Sequence, residues 1–91
     1  MKIAVTGDFD RMYRALVAGN DSLKTQVADR ITLFKKNPND TRLSNHRLRR
    51  RLRDKWAFSV TDDIRIVYIK AGKQSIRFLA IGIHATVYKK N

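Results

Sequence analysis

The chain has 91 residues, with 20 Lys+Arg against 8 Asp+Glu and a formal net charge of +12. That length allows one core, read as a single domain over residues 1–91; an apolar fraction of 43% with a mean hydropathy of −0.46 fits a soluble globular protein rather than a disordered polycation. The chain has no cysteine, and its two histidines stand without an HExxH motif or a paired acidic cluster. Disulfide frameworks, Cys-based zinc fingers and thiol catalysis are thereby excluded, and no metal or other cofactor is expected. The opening MKIAVTGDFDR meets an acid too early for a signal peptide or a membrane span, so the expected location is the cytoplasm.

In chain order, residues 2–6 alternate Ile3 and Val5 with polar or small neighbours, which predicts a short strand broken at Gly7-Asp8. With Asp8 as N-cap, Phe9, Met12, Tyr13 and Leu16 recur at helical spacing until Gly19-Asn20. A second helix is capped by Asp21 or Ser22, carries Leu23, Val27, Ile31 and Phe34 in one stripe, and stops at Asn37-Pro38. Together they read as a helical hairpin whose aromatic and Met side chains are core.

The stretch Arg42–Lys55, RLSNHRLRRRLRDK, places seven Lys+Arg in fourteen residues with only Asp54 to offset them. Such a run is either a solvated helix face or a phosphate-binding surface. The net charge of the whole chain favours a nucleic-acid or ribosome partner, or an acidic protein that shields the same surface. Arg47, Arg49, Arg50, Arg51, Arg53 and Lys55 are the candidate nucleic-acid contacts. The run also holds His46 and leads into Trp56.

From Trp56 the period is two. Trp56, Phe58 and Val60 form one strand face; Asp62-Asp63 makes a turn; Ile64, Ile66 and Tyr68 face one way and Arg65, Val67 and Ile69 the other. A turn at Ala71-Gly72-Lys73 leads into Ile76–Ile81, apolar on both faces as a central strand is, broken by Gly82, with a last short strand near Val87. The expected fold is therefore α+β: a short N-terminal strand, two helices, then a three- to four-stranded antiparallel meander.

His46, Asp63, Arg65, His84 and Tyr88 all fall at or near strand ends. Metal-free RNA cleavage needs a base for the 2′-hydroxyl proton, a cation for charge developing on phosphate, and an acid for the leaving 5′-oxygen. Histidine suits either proton role with an ordinary pKa of about 6.5, and a guanidinium fork suits the middle one. Each residue also has a plainer reading. His46 is then a solvated loop residue, Asp63 a turn residue, Arg65 a solvent-facing side chain, His84 a strand-end histidine and Tyr88 edge packing.

Residues 34–70 and 78–88 resemble the RelE/ParE toxin superfamily of type II toxin–antitoxin systems, in particular the YafQ/YoeB-like mRNA interferase branch. The resemblance rests on a constellation: Asn37-Pro38 after the helix, His46-x-Leu48, Trp56, the run Asp63 to Tyr68 (DIRIVY), and Gly82-x-His84 followed by Tyr88. It implies a RelE-like fold and a metal-independent endoribonuclease that cleaves mRNA in the ribosomal A site by 2′-hydroxyl attack, through a cyclic phosphate. It implies His84 as general acid, Arg65 as phosphate clamp, His46 or Asp63 as base, and Tyr88 as orienter or stacking group. The implied partners are the ribosome, mRNA and a cognate acidic antitoxin. The chain departs from relatives at Arg50 and Asp54, where they tend to have glycine, and at Ile83 and Ala85, where polar residues tend to flank the last histidine. Two other readings compete: a ParE-like gyrase poison without nuclease activity, which has no need of these histidines, and a non-catalytic basic nucleic-acid-binding module.

Overall fold

A computed structural model describes residues 1–83 and Val87. Strand β1 (Lys2–Val5) is followed by helices α1 (Gly7–Val17) and α2 (Asp21–Lys36), then by β2 (His46–Arg47), β3 (Trp56–Ser59), β4 (Ile64–Gly72) and β5 (Ser75–Ile83). Short 3-10 turns lie at Thr41–Leu43 and Arg50–Leu52, before and after β2. The five strands form one mixed sheet in the order β1-β5-β4-β3-β2, antiparallel except that β1 runs parallel to β5. The α+β order read from the sequence holds. The N-terminal strand joins the sheet beside β5, and β2 adds a strand inside the basic run.

Both helices start one to two residues earlier than their acidic residues suggest. Thr6 caps α1, its hydroxyl accepting from the Phe9 amide at 3.1 Å and donating to the Leu79 carbonyl at 3.2 Å, and Asn20 caps α2 by accepting from the Leu23 amide at 3.0 Å. Asp8 and Asp21 fall instead in the first turns, where their charge complements the helix dipole. Helix α1 packs chiefly on β5 and only lightly on α2, so the helices form a layer on the sheet more than a paired hairpin. Phe34 of α2 is centred on that layer, with ring centroids 4.5 Å from Phe58 and 5.0 Å from Tyr68.

The sheet is apolar on both faces. The helix-covered face carries Phe58, Ile64, Ile66, Tyr68, Ile76, Phe78 and Ile81. The second face carries a smaller cluster of Leu48, Ala57, Val67 and Val87, with Leu52, Leu79 and Ala80 against it. A register shift at Val67/Tyr68 sets both Leu79 and Ala80 opposite Val67, which places both on the second face. Two sequence expectations are corrected. Gly82 does not break β5 but pairs with Arg65 inside it, because a glycine within a strand still makes ladder hydrogen bonds. Val87 is helical and fully buried rather than extended. Trp56 packs at the edge of the helix-face core, as its place on one strand face with Phe58 and Val60 requires, 6.4 Å from Tyr68 between ring centroids and with the Lys70 ammonium 4.0 Å from its own centroid. The β4–β5 hairpin does need its glycine, since Gly72 has φ 145°, a region closed to residues with a Cβ.

Candidate functional site

Strand register decides which of the candidate residues meet. Cross-strand partners share a face, so the row His46–Ala57–Val67–Ala80 and the neighbouring row Ser59–Arg65–Gly82 lie on the second face. His46 and Arg65 are thus on one surface, two strands and one side-chain step apart, on the order of 12 Å between backbones. Lys55, one residue before β3, lies beside the same cluster in a cleft with Val67, Leu79, Ala80 and Val87. Among the described residues the surface is an apolar floor with His46, Arg65 and Lys55 around it, and Asp8 also lines the Lys55 cleft.

His46 is held by the loop in front of it. Ser44 adopts a left-handed backbone with φ 46° and turns its carbonyl toward the imidazole, 2.8 Å from Nδ1. A carbonyl only accepts, so Nδ1 carries the proton, and in the neutral form of the ring Nε2 is the acceptor. Asn45 locks the loop from the other side: its Oδ1 accepts from the Tyr68 hydroxyl at 2.8 Å and its Nδ2 donates to the Pro38 carbonyl at 3.1 Å. Burial beneath the helices pushes the Tyr68 phenol above its ordinary pKa, which keeps it a donor at neutral pH. Ser44, Asn45 and Tyr68 are not among the sequence-derived site residues: Ser44 and Asn45 have only their adjacency to His46 as a signal, and Tyr68 stands in the sequence as a strand-face residue closing the DIRIVY run.

Arg65 reaches back over the β3–β4 turn. Its Nη1 donates to the carbonyls of Thr61 and Asp62, each at 2.8 Å, with Ile64 at 3.5 Å. Among the described residues its Nε and Nη2 have no partner, so one edge of the fork is fixed and the other is open to an anion. Asp63 sits exposed in that turn, its amide donating to the Thr61 hydroxyl at 3.3 Å. This is the turn role. His84 and Tyr88 lie outside the described residues; the residue before His84, Ile83, pairs with Ile64 next to Arg65.

The basic run is neither one helix nor one strand. Arg49, Arg50, Arg51 and Arg53 are exposed around the second 3-10 turn, and Lys55 returns half-buried to the sheet. Arg47 folds back, its Nε donating to the Arg53 carbonyl, and so braces the loop it belongs to. Leu48 and Leu52 pin the loop to the second-face cluster.

The same arrangement of elements occurs in solved toxin structures. YafQ from Escherichia coli strain BL21(DE3) superposes with a TM-score of 0.79 over 96% of this chain and 97% of its own, at 20% sequence identity. A YoeB/ParE toxin from Agrobacterium tumefaciens gives 0.78 over 92% and 99%, at 19% identity. The fold is that of the YafQ and YoeB toxins. YafQ in the E. coli DinJ–YafQ toxin–antitoxin complex also matches, with a TM-score of 0.78 at 19% identity over 96% of each chain. No protein-family model and no curated protein matches the chain. On this YafQ/YoeB-type fold the second face is the surface on which His46 and Arg65 converge, and among the described residues no helix is long and apolar enough to cross a membrane.

Proposed function

We propose that the protein is the toxin of a type II toxin–antitoxin pair, a metal-independent endoribonuclease that cleaves mRNA in the ribosomal A site. The observation that carries this reading is the His46 ring: its Nδ1–H is tied to the Ser44 carbonyl, and Nε2 is left as a proton acceptor on the face that bears Arg65. In the reaction His46 Nε2 takes the 2′-hydroxyl proton, and the 2′-oxygen bonds to the adjacent phosphorus. The open edge of Arg65 holds the charge on the non-bridging oxygens, and His84 gives a proton to the departing 5′-oxygen as the P–O5′ bond breaks. The products are a 2′,3′-cyclic phosphate and a 5′-hydroxyl. Asp63 is the second candidate base, Tyr88 orients or stacks, and the arginines of the loop hold RNA phosphates. The fold likeness supports an antitoxin partner, since E. coli YafQ is seen bound to DinJ; here the partner is acidic, matching the +12 charge. The site lies within a single domain and the protein acts in the cytoplasm.

Single-turnover cleavage of message on programmed ribosomes tests the assignment. His46→Ala, His84→Ala and Arg65→Lys should each lower cleavage by roughly 10²-fold or more while ribosome affinity changes far less. Lysine is used at position 65 because it retains a donor for the turn carbonyls. Wild-type cleavage by the histidine variants, or none by the wild-type protein, would remove the nuclease reading.

A further inference from the structure

Among the described residues, three non-glycine positions have a left-handed backbone: Ser44 (φ 46°), Arg50 (φ 58°) and Gln74 (φ 64°). Two have local compensation. Ser44 closes the first 3-10 turn, its amide donating to the Thr41 carbonyl at 3.2 Å, and its own carbonyl holds His46. Gln74 sits in the tight β4–β5 hairpin, and its carbonyl accepts from the Lys2 amide at 2.7 Å to start the pairing of β1. Arg50 differs. Its carbonyl accepts from the Arg53 amide at 3.1 Å, as any 3-10 residue's does, but its side chain is exposed and has no hydrogen bond or ion pair among the described residues. A β-carbon in this region is disfavoured, and arginine has none of the local bonding by which Asn or Asp offsets it.

The loop enforces the conformation. The Leu48 amide donates to the Lys55 carbonyl at 2.9 Å, the Leu52 amide to Arg49 at 3.1 Å and the Lys55 amide to Leu52 at 2.8 Å, while Leu48 and Leu52 are set in the second-face cluster. Between those anchors the chain must reverse, and it reverses at Arg50. Among the described residues nothing repays an arginine for standing there. We propose that Arg50 is an RNA-phosphate contact, held in a left-handed conformation so that the arginines of the loop fan toward a strand lying across the His46–Arg65 face. This rests on the nuclease reading and adds to it a residue that trades stability for substrate affinity. RNA is favoured over an acidic protein because the loop is continuous with that face at both ends, leaving it at His46 and rejoining it at Lys55.

The test uses the full chain with Arg50→Gly, which relieves the backbone and deletes the charge, and Arg50→Lys, which keeps both. The probe is a 2′-O-methylated 16-nucleotide RNA that cannot be cleaved. Arg50→Gly should raise the melting temperature by about 4 °C or more. It should also weaken RNA binding and reduce the slope of log affinity against log salt by about 0.7. Arg50→Lys should match wild type in both. A glycine variant no more stable than wild type overturns the strained backbone; a more stable one with an unchanged slope overturns the contact. Sensitivity to the substitution with poly-aspartate but not with RNA makes the loop a protein-docking element and also overturns the proposal. If the wild-type chain does not bind the RNA at all, the proposal fails while the ribosome-dependent nuclease reading stands or falls by cleavage on programmed ribosomes, whereas wild-type binding with an unaffected glycine variant removes the Arg50 contact alone.

Discussion

Asp40 shows how a single residue can be both structural and titratable. Its Oδ1 accepts from the Arg42 amide at 2.9 Å, capping the first 3-10 turn, and its two oxygens take Arg42 Nε at 3.0 Å and Nη2 at 2.9 Å. The side-chain hydrogen bonds from Arg42 lead in lowering its pKa from 3.8 to about 2. A carboxylate with a depressed folded-state pKa adds stability that is present above its unfolded value and is lost as pH falls through the folded one. The contribution of Asp40 should therefore disappear between about pH 4 and pH 2. Carboxyl-carbon NMR titration should place Asp40 near 2 in the wild type, and Arg42→Ala should return it toward 3.8. An unshifted Asp40 in the wild type would show that the fork does not form in solution. Tyr68 behaves in the opposite sense. Its raised pKa means that its contribution is complete below about pH 10 and is lost at higher pH. Removing the hydroxyl with Tyr68→Phe takes the donor from Asn45, and a cost of about 1 kcal/mol is expected in denaturant unfolding. Because Asn45 steadies the loop before His46, this variant should also slow cleavage modestly, and an unchanged rate would uncouple Tyr68 from the site.

At the scale of elements, the second face is closed by Val87, which is fully buried against Leu48, Ala57 and Val67. Val87→Ala removes two methyl equivalents at about 0.8 kcal/mol each and leaves a cavity, so roughly 2 kcal/mol should be lost. In a chain of this size that lowers the melting temperature by roughly 10 °C; a shift under 2 °C would place Val87 outside the core. Val87→Ile should be tolerated far better. The elements most legible in the sequence are those with a sustained period. The Leu23–Val27–Ile31–Phe34 stripe and the alternation through Ile64, Ile66 and Tyr68 both occupy the core as their spacing requires. Strand β2 was not legible because two residues carry no period and arginines surround them. The parallel pairing of β1 was not either, since hydrophobic alternation is the same for both strand directions. Of the site, the shared face of His46 and Arg65 follows once register is known. The Nδ1 bond to Ser44 and the fixed edge of Arg65 depend on backbone carbonyls, which side-chain identity does not report.

The whole molecule is governed by its charge. The ion pairs among the described residues, Arg11–Asp8, Arg14–Asp10, Arg42–Asp40 and Lys55–Asp54, each have at least one partner whose side chain is well exposed. Such pairs contribute little, and salt screens what they do contribute. The remaining cations repel one another, most strongly where Arg49, Arg50, Arg51 and Arg53 share one loop, and that repulsion acts over distances comparable to the Debye length of about 10 Å at 0.1 M salt. Screening should therefore stabilise the isolated chain. Raising NaCl from about 0.02 to about 0.5 M should increase the melting temperature, and the rise should be smaller when those four arginines are replaced by Gln, which takes the net charge from +12 to +8. The opposite salt response is expected of binding. Ribosome affinity should fall with salt, and the quadruple variant should flatten that dependence by roughly 0.7 to 0.9 per lost phosphate contact. Both responses come from one field: on the proposed function, the charge that strains the free protein is the charge that RNA or an acidic antitoxin would neutralise. An antitoxin segment bound to the loop should raise the melting temperature most at low salt and least at high salt, because the repulsion it relieves is then already screened. Differential scanning fluorimetry of the free chain and the complex across the same salt series measures this directly. A free-chain melting temperature that falls as salt rises would mean that the surface pairs outweigh the arginine loop, and the loop would then be a balanced surface rather than a binding element.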